Sequence, residues 1–97
     1  MRRLRLPLGS VEKVTARVRM DEDDSDPTAF TIEWALTATD AETPASGDWE
    51  DGAWLAGGPP YRMEALITVA DGAFAFWLRI SGSGETVLRR VGIIESR

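Results

Sequence analysis

Three groups of residues in this chain are of types that do chemistry. The run DEDDSD presents Asp21, Asp23, Asp24 and Asp26 as oxygen ligands for a hard cation such as calcium. Its spacing lacks the glycine and the closing glutamate of an EF-hand loop. A solvated acidic loop closed by Pro27 is therefore expected, and no metal is assigned. Trp49 and Trp54 stand in loop-flanked positions and are the candidate platforms for a sugar ring or another surface ligand. Arg2, Arg3 and Arg5 carry the charge that neutralises phosphates or carboxylates. Catalysis has little to work with. There is no histidine, the commonest general base, and no cysteine, so thiolate chemistry and disulfides are excluded. Paired carboxylates occur only in loops, where nothing raises one pKa over the other. No glycine-rich loop precedes a helix to cradle a phosphate. The expectation is a protein that is not an enzyme and takes no cofactor.

Charge is spread unevenly along the 97 residues. Residues 1–20 carry a net +5, residues 21–51 a net −11 with no base at all, and residues 52–97 a net +1. The total of −5 argues against a general nucleic-acid binder. A basic start followed by an acidic third is the asymmetry of an assembly surface, although an acid excess also serves solubility. Arg2, Arg3, Arg5, Asp21, Asp23 and Asp24 are the candidate assembly contacts. Arginine outnumbers lysine ten to one, and asparagine and glutamine are absent, which reads as coding bias. No run of apolar residues is long enough to span a membrane, and the opening MRRLRLPLG is too short in its apolar part for a signal peptide.

These residues are carried by alternating segments. Residues 61–80 hold two apolar-alternating runs joined by Asp71-Gly72. Asp-Gly between such runs signals a type I′ hairpin with positive φ at Gly72, so a central antiparallel hairpin is expected. Residues 11–20 alternate with Val14, Ala16, Val18 and Met20 inward and Lys13, Thr15, Arg17 and Arg19 outward. Residues 30–38 put Phe30, Ile32, Trp34, Leu36 and Ala38 inward and Thr31, Glu33, Ala35 and Thr37 outward. A short strand is expected at 53–56 and a closing one at 85–96. Trp34, Phe76 and Leu78 are the expected structural core. Arg79, on a semi-apolar face beside Trp77, needs a ring or a carboxylate as partner. Seven short strands with turn signals between them, and no amphipathic helix, make an all-β, immunoglobulin-like antiparallel sandwich. Its domain is residues 11–97. Residues 1–10, broken by Pro7 and Gly9, form a basic N-terminal arm or an edge strand, expected to be disordered until a neighbour binds it.

The order of motifs adds to this reading. LPLGSVEKV and an ARVRM strand precede an acidic loop ending in DPT. FTIEWALT, GDWEDGAWLAG, FWLRISGSGE and LRRVGIIES follow. The chain resembles small proteins in the structural gene cassettes of tailed bacteriophages and prophages of actinobacteria. The shared positions are the paired Trp49 and Trp54, Trp77 with Arg79, Glu85, and Arg89 with Gly92. Similar proteins tend to have Asp-x-Pro-Glu-x-Pro in the last turn, where this chain has Gly82-Ser83-Gly84-Glu85-Thr86. The resemblance implies a virion structural protein, made in the bacterial host cytoplasm and built into the particle. Capsid decoration or the head–tail region is favoured, and a small tail component is the next location. Its implied partners are other virion proteins, such as major capsid or head–tail proteins, or itself as a homo-oligomer, with no membrane and no nucleic acid. The alternative from another class is an Ig-like carbohydrate- or surface-binding module that uses Trp49 and Trp54.

Overall fold

The computed structural model describes residues 2–18, 27–58, 60–82 and 84–97. Eight strands follow in chain order: β1 (Arg2–Leu6), β2 (Val11–Val18), β3 (Thr31–Ala38), β4 (Glu50–Asp51), β5 (Ala53–Trp54), β6 (Tyr61–Thr68), β7 (Ala73–Gly82) and β8 (Glu85–Ser96). A single 3-10 turn, Ser46–Asp48, precedes β4. The strands form two sheets, one ordered β1-β8-β7-β3-β4 and the other β2-β6-β5. The protein is an all-β sandwich.

The core between the sheets follows from the alternation. Val14, Ala16 and Val18 of β2 and Met63, Ala65 and Ile67 of β6 pack against Ile32, Phe76, Leu78 and Ile94 of the larger sheet. Phe76 and Leu78 are buried, while Trp34 is half-buried and packs against the same cluster. The Trp34 and Phe76 rings lie 6.4 Å apart, tilted by 42°, a favourable aromatic geometry.

The order β8-β7-β3-β4 opposite β2-β6-β5 is the topology of an immunoglobulin variable-type sandwich. In antibody domains a tryptophan on the third strand packs on a disulfide. This chain has no cysteine, and Trp34 packs on Phe76 in its place.

That topology corrects two expectations. Residues 61–80 are not a hairpin. β6 pairs with β2 and β5, whereas β7 lies in the other sheet between β3 and β8. Gly72 does have a positive φ of 118°, but the turn serves to cross between sheets. Ser96 holds it: the Gly72 N–H donates to Ser96 Oγ at 2.9 Å, and the Ser96 N–H donates to the Gly72 carbonyl at 2.9 Å. The reason lies in β7, whose Ala75, Phe76, Trp77 and Leu78 are all buried. A strand apolar on both faces needs cover on both faces and a neighbour on each side, which one hairpin partner does not supply.

The second concerns residues 1–10, where of the two forms expected, arm or edge strand, the structure has the edge strand. Arg2–Leu6 is an edge strand, paired in parallel with β8 from Arg2 opposite Gly92 to Leu6 opposite Ser96. The larger sheet is therefore mixed rather than purely antiparallel, and the expectation of a free, disordered arm does not hold. Leu4 and Leu6 pack on the main core, so the segment buries more apolar surface than its arginines suggest.

β3 keeps its alternation, with Ile32, Trp34 and Leu36 on the main core, but its outer face is covered as well. Ala35 and Thr37, expected outward, are buried on that face, and Ala38, expected inward, is exposed. The short strand expected at 53–56 covers only Ala53–Trp54, and β4 is an additional strand.

Candidate functional site

The outer face of the larger sheet closes on itself. Ala35, Ala75 and Trp77 form a second small apolar cluster, with Trp49 packed against it. Trp77 Nε1 donates to Thr37 Oγ1 at 2.9 Å, so the buried indole N–H is satisfied. Arg79 has both partners that an arginine on such a face needs. Its Nε donates to Glu33 Oε1 at 2.9 Å, a terminal nitrogen lies 2.9 Å from the same oxygen, and its guanidinium sits 4.4 Å from the centre of the Trp49 ring. β7 and β3 set this arrangement, because Arg79 and Glu33 are register partners and paired residues share a face.

Further along the same sheet, Arg3 and Arg5 of β1 both reach Glu95 of β8. Arg3 donates to Glu95 Oε2, and Arg5 Nε lies 3.1 Å from Oε1. Arg5 and Glu95 are direct register partners in the parallel pair. Two of the three arginines expected to contact another molecule, Arg3 and Arg5, are thus paired within the domain, and the side chain of Arg2 lies outside the described ones.

The tryptophans are also partly engaged. One face of Trp49 is taken by Arg79. Trp54 is half-buried against the main core, and its Nε1 donates to the Phe30 carbonyl at 2.9 Å. Asp21, Asp23 and Asp24, and the calcium ligand set Asp21–Asp26 with them, lie outside the described residues. Among the described residues no group of three or more acidic side chains is placed to hold a metal ion, and no helix is long and apolar enough to cross a membrane.

The outer face of the smaller sheet is different. Alternation along β2 and β6 sends Lys13, Thr15 and Arg17 outward beside Arg62, Glu64 and Leu66. Lys13, Arg17 and Arg62 are exposed, and none has an ion pair or a side-chain hydrogen bond among the described residues. Among the described residues of β2 and β6, Glu64 is the only acid on this face. Along the connection that follows β3 and in β4, Asp40, Glu42, Asp48, Glu50 and Asp51 are all exposed. Asp48 accepts the Ala45 N–H and closes the 3-10 turn; among the described residues the other four have no partner of opposite charge. Base therefore gathers on β1 and β2, and acid on β4 and the connection before it.

Beside β2 the two sheets part. A cleft of about 180 Å³ opens there, lined by Leu4, Val14, Ala16, Phe76, Val91 and Ile94 together with their neighbours. A β-bulge in β8 helps shape it, because Phe76 pairs with Gly92 and Trp77 with Arg90, which leaves Val91 as the extra residue.

The weight thus shifts from Arg3 and Arg5 to Lys13, Arg17 and Arg62. A signal for them was present in the sequence: Lys13 and Arg17 fall on the wet side of an alternating strand, with no acid on that side of the strand to pair with them. The partnership of Arg3 and Arg5 with Glu95 was not visible, since 92 positions separate Arg3 from its acid. The chain matches no protein-family model and no curated protein sequence.

Proposed function

We propose that this domain is a non-enzymatic structural component of a tailed-phage particle, a capsid decoration protein or a part of the head–tail region, that docks on neighbouring virion proteins. One observation carries the assembly reading. Lys13, Arg17 and Arg62 stand on the outer face of β2 and β6 without partners among the described residues, while five exposed acids lie along the β3–β4 connection and β4. Exposed charges add little to the stability of one domain, about 0–1 kcal/mol per pair. Across an interface, segregated charges steer encounter and fix register. The sequence resemblance supplies the phage setting, and the sandwich suits the role as a rigid platform with most of its apolar surface inside.

The test is direct. Particles released by the bacterium that carries the gene are banded on a density gradient and probed with an antibody to this domain. The chain should co-band with the particles, in proportion to the major capsid protein from one preparation to the next. Recovery only in the particle-free fraction would remove the virion reading.

A further inference from the structure

We propose that the open edge of β2 is a strand-addition site, which receives an extended segment of another protein whose residues alternate apolar and acidic. The proposal deepens the assembly reading and rests on it only for the source of the strand.

The first support is topological. In a constant-type immunoglobulin sandwich the second strand is flanked by the first, in a four-stranded sheet. Here the first strand has gone to the other sheet and pairs with β8, so the smaller sheet is only β2-β6-β5. Among the described residues five strands face three, and none lies on the free side of β2.

The second support is the backbone. The Val69 N–H donates to the Ser10 carbonyl at 2.9 Å. Hydrogen-bonded and non-hydrogen-bonded pairs alternate along an antiparallel ladder. In the β2–β6 register, Glu12, Val14 and Ala16 then exchange bonds with β6, and the amides and carbonyls of Val11, Lys13, Thr15 and Arg17 face away from it. They form a ready template for another strand.

The third support is the cleft. An incoming strand beside β2 would lie over Leu4, Val91 and Ile94, where the cleft now opens. Every second residue would point into it and meet Val14 and Ala16. Apolar side chains fit those positions.

Charge selects the occupant. The alternate residues of the incoming strand would stand beside Lys13 and Arg17, with Arg62 behind them on β6. A second copy of β2 would bring its own Lys13 and Arg17 to that row, and like charges on adjacent strands repel. A strand with acids at those positions is complementary. The same lysine and arginine would keep the edge from pairing with itself.

The experiment uses a fluorescent eight-residue peptide, the length of β2, alternating glutamate with valine or isoleucine. Two controls accompany it: the same residues in scrambled order, and the alternating peptide with lysine for glutamate. Binding is followed by anisotropy, and amide hydrogen exchange is measured on the wild-type domain. The acidic alternating peptide should bind, and it should slow exchange at Lys13, Thr15 and Arg17. The scrambled and lysine peptides should bind at least about tenfold more weakly, as lost register or reversed charge predicts. Thr15→Pro removes an N–H that makes no bond to β6, and an edge strand tolerates proline. It should weaken binding at least about tenfold with the fold retained. Equal binding of the scrambled peptide, or binding with no slowing at those three amides, would overturn strand addition. So would no binding at all, or a domain that dimerises through β2. None of these outcomes depends on whether the protein is found in particles.

Discussion

The outer faces of the two sheets treat most of their cations differently. The exception is Arg90, which shares the outer face of the larger sheet with Trp77 and has a buried Nε without a hydrogen-bond partner among the described residues. On the larger sheet Arg3, Arg5 and Arg79 have partners inside the domain, in Glu95, Glu33 and the Trp49 ring. On the smaller sheet Lys13, Arg17 and Arg62 have none among the described residues. Both faces look alike in sequence, as arginines and threonines alternating with apolar residues. The difference comes from what lies across the strand. β7 pairs on one side with β3, which places Glu33 beside Arg79, and β1 pairs with β8, which places Glu95 beside Arg5. Among the described residues β2 has a neighbour on one side only, and that neighbour places Arg62 opposite Arg17 and Glu64, the acid of this face, opposite Thr15. A cation row is a structural device where the fold pairs it with an acid, and a surface open to a partner where it does not.

The largest effect expected from mutation sets the scale beneath both faces. Phe76 is packed among Val14, Ile32, Met63 and Leu78. Phe76→Ala should cost about 3–5 kcal/mol in denaturant unfolding, a large share of the stability of a domain this size. Melting close to wild type would mean that the two sheets do not meet at this ring.

A smaller loss is expected on the closed outer face. Thr37→Val keeps the shape but leaves the buried Trp77 Nε1 without its acceptor. An unsatisfied buried donor costs about 1–3 kcal/mol, so the midpoint of chemical unfolding should fall accordingly. An unchanged midpoint would show that the indole N–H has another acceptor.

Arg79→Ala should cost less, about 1–2 kcal/mol, because it removes one partly exposed ion pair and one ring contact together. The Trp49 fluorescence should shift as its ring loses the guanidinium. Glu33→Gln, which keeps the ring contact, should shift it less. Equal spectral shifts in the two variants would assign the whole effect to the carboxylate and break the cation–ring part of the comparison.

Much of this arrangement was legible in the sequence. Alternation placed Val14, Ala16, Met63, Ala65 and Ile67 inside, and the two-sheet class followed from many short strands. Arg79 read as needing a partner because it shares a face with Trp77. What alternation does not encode is which strand lies beside which. Asp71-Gly72 has the chemistry of a tight hairpin, yet the same positive φ at Gly72 serves a crossing between sheets. The burial of Ala35 and Thr37 depends on Trp77 and Trp49 covering β3 from outside, and Trp49 comes from a loop. The edge status of β2 depends on β1 leaving for the other sheet, a choice written in long-range packing of Leu4 and Leu6 on the core.

The open face is where the account commits itself most. Replacing Lys13, Arg17 and Arg62 together with serine should change stability by no more than about 0.5 kcal/mol per site, as for exposed residues without partners. Its effect should appear instead in assembly. The decisive measurement is incorporation of wild-type and triple-variant protein into particles lacking their own copy, at about 0.1 M and about 1 M salt, between which screening shortens from ~10 to ~3 Å. The wild type should incorporate well at low salt and lose incorporation at high salt, and the variant should be low at both. A variant that incorporates fully at both salt concentrations would contradict the claim that the unpaired cations of β2 and β6 form the docking surface.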